Sequence, residues 1–361
     1  MTSIDAAGEL EAASAAGSVA QHARASRWRF GVLVGMAVAL VLVSVGDVMV
    51  GGAPMPLPVL VRALVDPASS AAIDVQIVWA IRLPMTATAL VCGAALAMSG
   101  AQMQTVLGNP LAEPYTLGIA SAASFGAALA VVSGFAATTL GSALGIAGSA
   151  WFFAMVACAV ILGMARIRGR GAESMILIGI AIVFGFDALL ALMQYLASVV
   201  ELEQVVFWTL GSLTRSTWPQ IGLMAGVLVV CSVLFISHAW TLTALRLGDD
   251  RARSMGVPVD RARTLALVLA SLLAATAVSM AGTIGFIGLI GPHIARMLMG
   301  EEQRFFLPAS TLCGALLLTG ASLVAKVVQP GQILPVGIIT AIVGVPLFLV
   351  LVMGRRQRNW S

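Results

Sequence analysis

The residues of this chain that could do chemistry are few, and their settings are distinctive. Asp187 stands inside a long apolar run, between Phe186 and Ala188. An ionisable group there is costly unless it is paired or functional. It reads as a pathway-lining or hydrogen-bonded acid; an ion-coupled secondary transporter would instead use it as its coupling group. The doublet Asp249-Asp250 invites comparison with metal-dependent transferases, but the further acids of such sites do not follow it. The chain has one lysine, Lys326, in the setting Ala325-Lys326-Val327. A phosphate-cradling G-x-x-x-x-G-K-[ST] loop needs its lysine beside the nucleotide, so this chain is not a P-loop ATPase. Any ATP-driven work would use Mg-ATP bound by another subunit, and no cofactor is expected here. Three histidines and two tyrosines do not make a metal or haem cage. His293, after Pro292, reads as a packing histidine. Cys92, Cys158, Cys231 and Cys313 lie singly in apolar stretches without metal or redox spacing and read as small core residues.

The elements that must carry these residues follow from composition. Apolar residues make up 60% of 361 positions and charged residues 10%, against about 45–50% and about 25% in soluble domains. Mean hydropathy is +1.01. The apolar residues fall into runs near the roughly 20 residues that a bilayer core requires. Ten spans are predicted, over about 30–50, 75–107, 114–134, 143–165, 174–197, 218–240, 262–282, 284–299, 305–327 and 334–353. The chain divides into a disordered tail over 1–27, a ten-helix domain over 28–354 and a basic end over 355–361. The tail lacks the positive start and apolar stretch of a secretory signal. Sixteen of the twenty basic residues fall on one side of this ten-span arrangement; Arg62, Arg82, Arg215 and Lys326 do not. The positive-inside rule then places both termini in the cytoplasm. Arg82 is expected to snorkel to the outer interface.

The loop after the sixth span, Gly248-Asp249-Asp250-Arg251-Ala252-Arg253-Ser254-Met255-Gly256-Val257-Pro258, has acids first and bases later, which suits a helix dipole. Asp249 and Arg253 are spaced for an i,i+4 pair, and Gly256 and Pro258 supply a stop. The loop is either a basic turn that fixes topology or a short helix that docks a soluble partner, presenting Leu247 and Met255. Arg62 and Lys326, with Arg215 near them, are the isolated outer charges. They are either solvated loop residues or anchors for an acidic partner.

Two apolar segments are irregular. One runs Gly282-Thr-Ile-Gly-Phe-Ile-Gly-Leu-Ile-Gly291-Pro292; the other breaks at Gly108-Asn109-Pro110. At an offset of 182, Met98, Gly100, Leu107 and Pro110 fall on Met280, Gly282, Leu289 and Pro292, a spacing compatible with an internal repeat. Interrupted segments in corresponding halves mark transport pathways.

Six ordered blocks carry a family resemblance from about residue 30 to the end. They are Arg82-Leu83-Pro84, Gly93 to Gln104, Asn109-Pro-Leu-Ala-Glu-Pro-Tyr-Thr-Leu-Gly118, Leu247 to Val257, Gly285 to Arg296, and Leu334-Pro-Val-Gly-Ile-Ile-Thr340. Together they resemble the FecCD-type permeases that import ferric siderophores, haem and cobalamin. The resemblance implies an all-α, ten-helix type II ABC importer permease in a bacterial cytoplasmic membrane, working as a two-fold dimer. Its partners would be two cytoplasmic ATPase subunits and a periplasmic binding protein. It implies a coupling helix over Leu247, Gly248, Asp249, Asp250, Arg251, Arg253, Met255 and Gly256. It further implies a cytoplasmic gate at Asn109, Leu111, Glu173 and Ser174, and binding-protein docking at Arg62 and Lys326. Pro114 to Gly118 is more similar to the iron-chelate branch than to the cobalamin branch, so a ferric siderophore is the first expected cargo. Asp187 departs from the neutral residue the family leads one to expect.

Overall fold

The computed structural model describes residues 2–52, 54–135, 139–168, 172–328 and 334–356. Fifteen α-helices follow in order: α1 (Thr2–Met49), α2 (Leu57–Val65), α3 (Ala72–Gln76), α4 (Leu83–Val106), α5 (Ile119–Val132), α6 (Thr139–Arg168), α7 (Ala172–Leu196), α8 (Val199–Thr209), α9 (Trp218–Ser237), α10 (Ala239–Leu245), α11 (Asp249–Ser254), α12 (Val259–Ala281), α13 (Ile287–Met299), α14 (Gln303–Val328) and α15 (Val336–Arg356). No strand occurs among the described residues.

Seven helices are long and apolar enough to cross a bilayer, and three shorter apolar helices complete the ten predicted places. Helical backbone starts at Thr2 and runs into the span Ser26–Met49. Alanine, the strongest helix former, is frequent in its first part. The long second segment is one span, Ala72–Val106, with a π-helical stretch over Ile77–Arg82. It stops where Leu107 caps α4, Gly108 takes φ 57° and Pro110 offers no N–H. The third segment starts later than expected. Residues 112–117 are non-helical and largely buried, and α5 begins at Ile119.

Helix α4 lies at the centre, against α12, α13 and α14. Small residues permit this. A Cβ on Gly100 would come within 1.8 Å of the Gly288 carbonyl oxygen, and one on Gly93 within 2.4 Å of the Gly314 carbonyl oxygen. Without a hydrophobic drive between helices in lipid, such close backbone approach is what holds them together.

The repeat at offset 182 has no counterpart in the backbone. Gly100 lies within α4, whereas Gly282 lies past the end of α12 with φ 78°; Leu107 ends one helix, and Leu289 lies in the first turn of α13. The matched residues are identities in small, apolar stretches, each serving a different local need.

Candidate functional site

The predicted docking helix forms as α11, bracketed by Gly248 at φ 97° and Gly256 at φ 81°. Leu247 and Met255 are exposed on either side of it. The expected Asp249–Arg253 pair does not form. Asp249 accepts instead from Arg263 Nη2 of α12 at 2.7 Å, and Arg253 faces Asp250 at 3.6 Å. Because α12 returns directly beneath the turn, Arg263 outcompetes the exposed Arg253. Arg263 Nε also donates to the Val106 carbonyl at 2.9 Å. One guanidinium therefore ties α11 to the last residue of α4.

That junction borders a cavity of about 660 Å³, which also reaches Gly108, Pro110, Ser174, Arg246 and Glu301. Two of the expected gate segments thus meet there. Asn109 shapes the turn, its Oδ1 accepting from the Leu111 N–H at 2.9 Å, and Leu111 is exposed. Glu173 belongs to the first turn of α7, but its side chain lies outside the described residues.

Behind the cavity is a polar layer that sequence reading missed. Arg296 donates to Gln104 Oε1 at 2.9 Å, and Gln303 Nε2 donates to Thr105 Oγ1 at 2.9 Å while its Oε1 accepts from Gln102 at 3.0 Å. Arg246 pairs with Glu301, which also lies 3.5 Å from Arg296 Nε. The available signal was Gln102 and Gln104, two amides in an otherwise apolar helix. Arg246 and Arg296, counted as topology-setting charges, are members of this network.

At the opposite end of α4 the predicted outer charges separate. Arg62 of α2 is exposed. Lys326 is not a surface residue: its Nζ lies 2.9 Å from Asp47 Oδ2 and donates to the Asp47 carbonyl at 2.8 Å, with side-chain exposures of 10% and 0%. Its ammonium is thus already engaged within the chain. Arg82 is buried, not snorkelling. It donates to the carbonyls of Val48 and Met49, both at 2.8 Å, and so caps α1. Arg215 likewise donates to the Phe207 carbonyl at 2.6 Å near the end of α8.

Asp187 lies exposed on α7 of the single chain. The 113–118 segment lies against α7, where a Cβ on Gly118 would stand 2.6 Å from Ile182 Cγ2. This brings Tyr115 within electrostatic range of both Glu113 and Asp187. Glu113, which the sequence showed only as part of the Asn109–Gly118 block, is carried inward by the burial of residues 112–114. His293 is buried in α13, and the four cysteines are free and buried, as expected of packing residues.

The sequence matches the FecCD transport family over residues 18–354. The chain belongs to that family. Among its FecCD relatives, the molybdate import permease MolB of Haemophilus influenzae is 34% identical over 326 residues, covering 89% of this chain and 95% of MolB. The vitamin B12 import permease BtuC of Klebsiella pneumoniae is 38% identical over 283 residues, covering 78% and 84%. A solved inward-facing structure described as a metal-chelate-type ABC transporter superposes with a TM-score of 0.78 at 31% identity, covering 90% of this chain and 99% of that one. The all-α polytopic fold is accordingly that of an ABC importer permease.

Proposed function

We propose that this chain is the membrane-spanning permease subunit of an ATP-driven importer in the cytoplasmic membrane, with both termini inside. Its cargo is a large metal chelate, a ferric siderophore first and haem or cobalamin next. Two copies form the pathway, two ATPase subunits seat on α11, and a periplasmic binding protein delivers cargo at the far end. The observation that carries this reading is the Arg263 junction. An exposed six-residue helix is fastened by one buried side chain to the residue where α4 breaks, so a force on α11 is delivered at the Gly108-Asn109-Pro110 turn. A bland topology-fixing loop would need no such tie.

In this reading the 660 Å³ cavity is the space into which the turn moves, and the polar layer around Gln104 and Arg296 bounds it from the core. The relatives' named cargoes differ, from an oxyanion to a corrinoid, so cargo is set by details of the pathway and by the binding protein. The deciding experiment purifies the chain with the products of adjacent genes. A stoichiometric ATPase subunit, with hydrolysis stimulated by a binding protein, is the expected result. A stable chain that never retains an ATPase would end this reading.

A further inference from the structure

Glu113 is 8% exposed. Its main chain is fully engaged, the N–H donating to Thr116 Oγ1 at 3.1 Å and the carbonyl accepting from the same hydroxyl at 2.9 Å. Its carboxylate accepts no hydrogen bond and joins no ion pair among the described residues. It lines a cavity of about 480 Å³ together with Tyr115, Thr209, Thr283 and Ala341. A buried carboxylate is normally satisfied by donors or a counter-charge, because leaving it bare costs several kcal/mol. Here the space beside it is open, and Asp187 of α7, outside the cavity wall, adds a second negative charge within electrostatic range of Tyr115.

The polar side chains lining the cavity, Glu113, Tyr115, Thr209 and Thr283, all present oxygen, in a wall otherwise made apolar by Leu210, Phe286, Ile338 and Ile342. No group of three His, Cys, Asp or Glu suited to a metal ion forms among the described residues. Two carboxylates with hydroxyls beside them suit a ligand group with several N–H donors and one positive charge. They repel an oxyanion, and the low dielectric of the surroundings strengthens both effects.

We propose that Glu113, Asp187 and Tyr115 form an anionic subsite that takes a cationic nitrogen group of the cargo, a protonated amine or guanidinium, and turns free oxyanions away. The subsite rests on the permease reading only for the route by which cargo arrives.

The test measures the local potential directly. Ala341→Cys places a thiol on the cavity wall, while the four native cysteines are buried and the parent chain sets the background. The full chain in lipid nanodiscs is treated with a cationic methanethiosulfonate (trimethylammonium-ethyl) and an anionic one (sulfonatoethyl). Each rate is divided by that for a free thiol. The cation is expected to be favoured by about tenfold or more, the lower range for a cleft lined with one sign of charge. Glu113→Gln and, separately, Asp187→Asn should each lower that preference. Because Asp187 is exposed, its substitution reports charge even where the Glu113 change disturbs packing. Equal rates, a preference untouched by both substitutions, or no reaction with either reagent would overturn the subsite. No ATPase is needed. A cation preference in a chain that binds no ATPase would keep the subsite and discard the importer reading.

Discussion

Asp249 and Arg263, fourteen residues apart, meet at 2.7 Å, and the Arg263 guanidinium also reaches the carbonyl that ends α4. The contact ties a surface turn to the end of α4 and to the cavity beside it. In the importer proposed above, ATPase movement would enter at α11, and Val106 is where the helix before the Gly108-Asn109-Pro110 break stops.

Arg263→Lys should therefore uncouple hydrolysis from transport. An ammonium is a point charge, and one Lys cannot reproduce the two-directional fork of a guanidinium. The lost charge-assisted bonds are worth about 1.5–3 kcal/mol, enough to loosen the tie without unfolding a domain of this size. The measurement is ATP hydrolysed per cargo imported in proteoliposomes. That ratio should rise several-fold with the complex intact, and Arg253→Lys should leave it near the parent value. An unchanged ratio for Arg263→Lys would remove the arginine from the coupling route.

The sequence discloses spans far better than it discloses side-chain partners, for a physical reason. A bilayer imposes a length and an apolar content on each span, so the ten places are visible in composition. Partners depend on which helix passes behind which. Asp249 has a correctly spaced arginine within its own turn, yet α12 supplies a better-buried one. Lys326 reads as an isolated outer charge because nothing local reveals Asp47, which is 279 positions away. The burial of Glu113 is not visible because a Gly-Asn-Pro break signals a turn but not that the following residues fold back against α7.

Lys326 and Asp47 should behave as a buried pair. Lys326→Met leaves an Asp47 carboxylate at 0% exposure with only the Thr86 hydroxyl donating to it from a side chain. Breaking one partner of a buried ion pair costs about 3–5 kcal/mol. Adding Asp47→Asn to Lys326→Met should restore much of the loss. Thermal unfolding of the three variants in nanodiscs checks this; equal destabilisation by single and double changes would mean that the pair is not the source.

In the importer proposed above, Arg62 is an exposed outer charge open to a binding protein. Arg62→Glu should weaken association with the binding protein, and more at low ionic strength, since salt already screens exposed pairs beyond about 8 Å at physiological strength. Exposed pairs are worth about 0.2–1 kcal/mol each, so a change of a few-fold in Kd is expected. Equal affinities at low salt would assign docking to other surfaces of the outer end.

The close approach of α4 to its neighbours makes a last, contrasting pair of substitutions informative. Gly100 and Gly226 both lie within spans, and on propensity alone alanine improves either helix by up to about 1 kcal/mol. Around Gly226 nothing stands within 4 Å of a new Cβ, whereas at Gly100 the Gly288 carbonyl oxygen would be 1.8 Å away. Backbone cannot yield as a side chain can, so Gly100→Ala must push α13 off α4. That movement displaces Arg296, which is held to Gln104 one turn along α4, and disturbs the gate cavity as well as stability. Gly226→Ala should keep or slightly raise the unfolding temperature and leave transport unchanged. Gly100→Ala should lower both folded yield and uptake. If the two variants unfolded and transported alike, the α4–α13 contact would not be holding the bundle together.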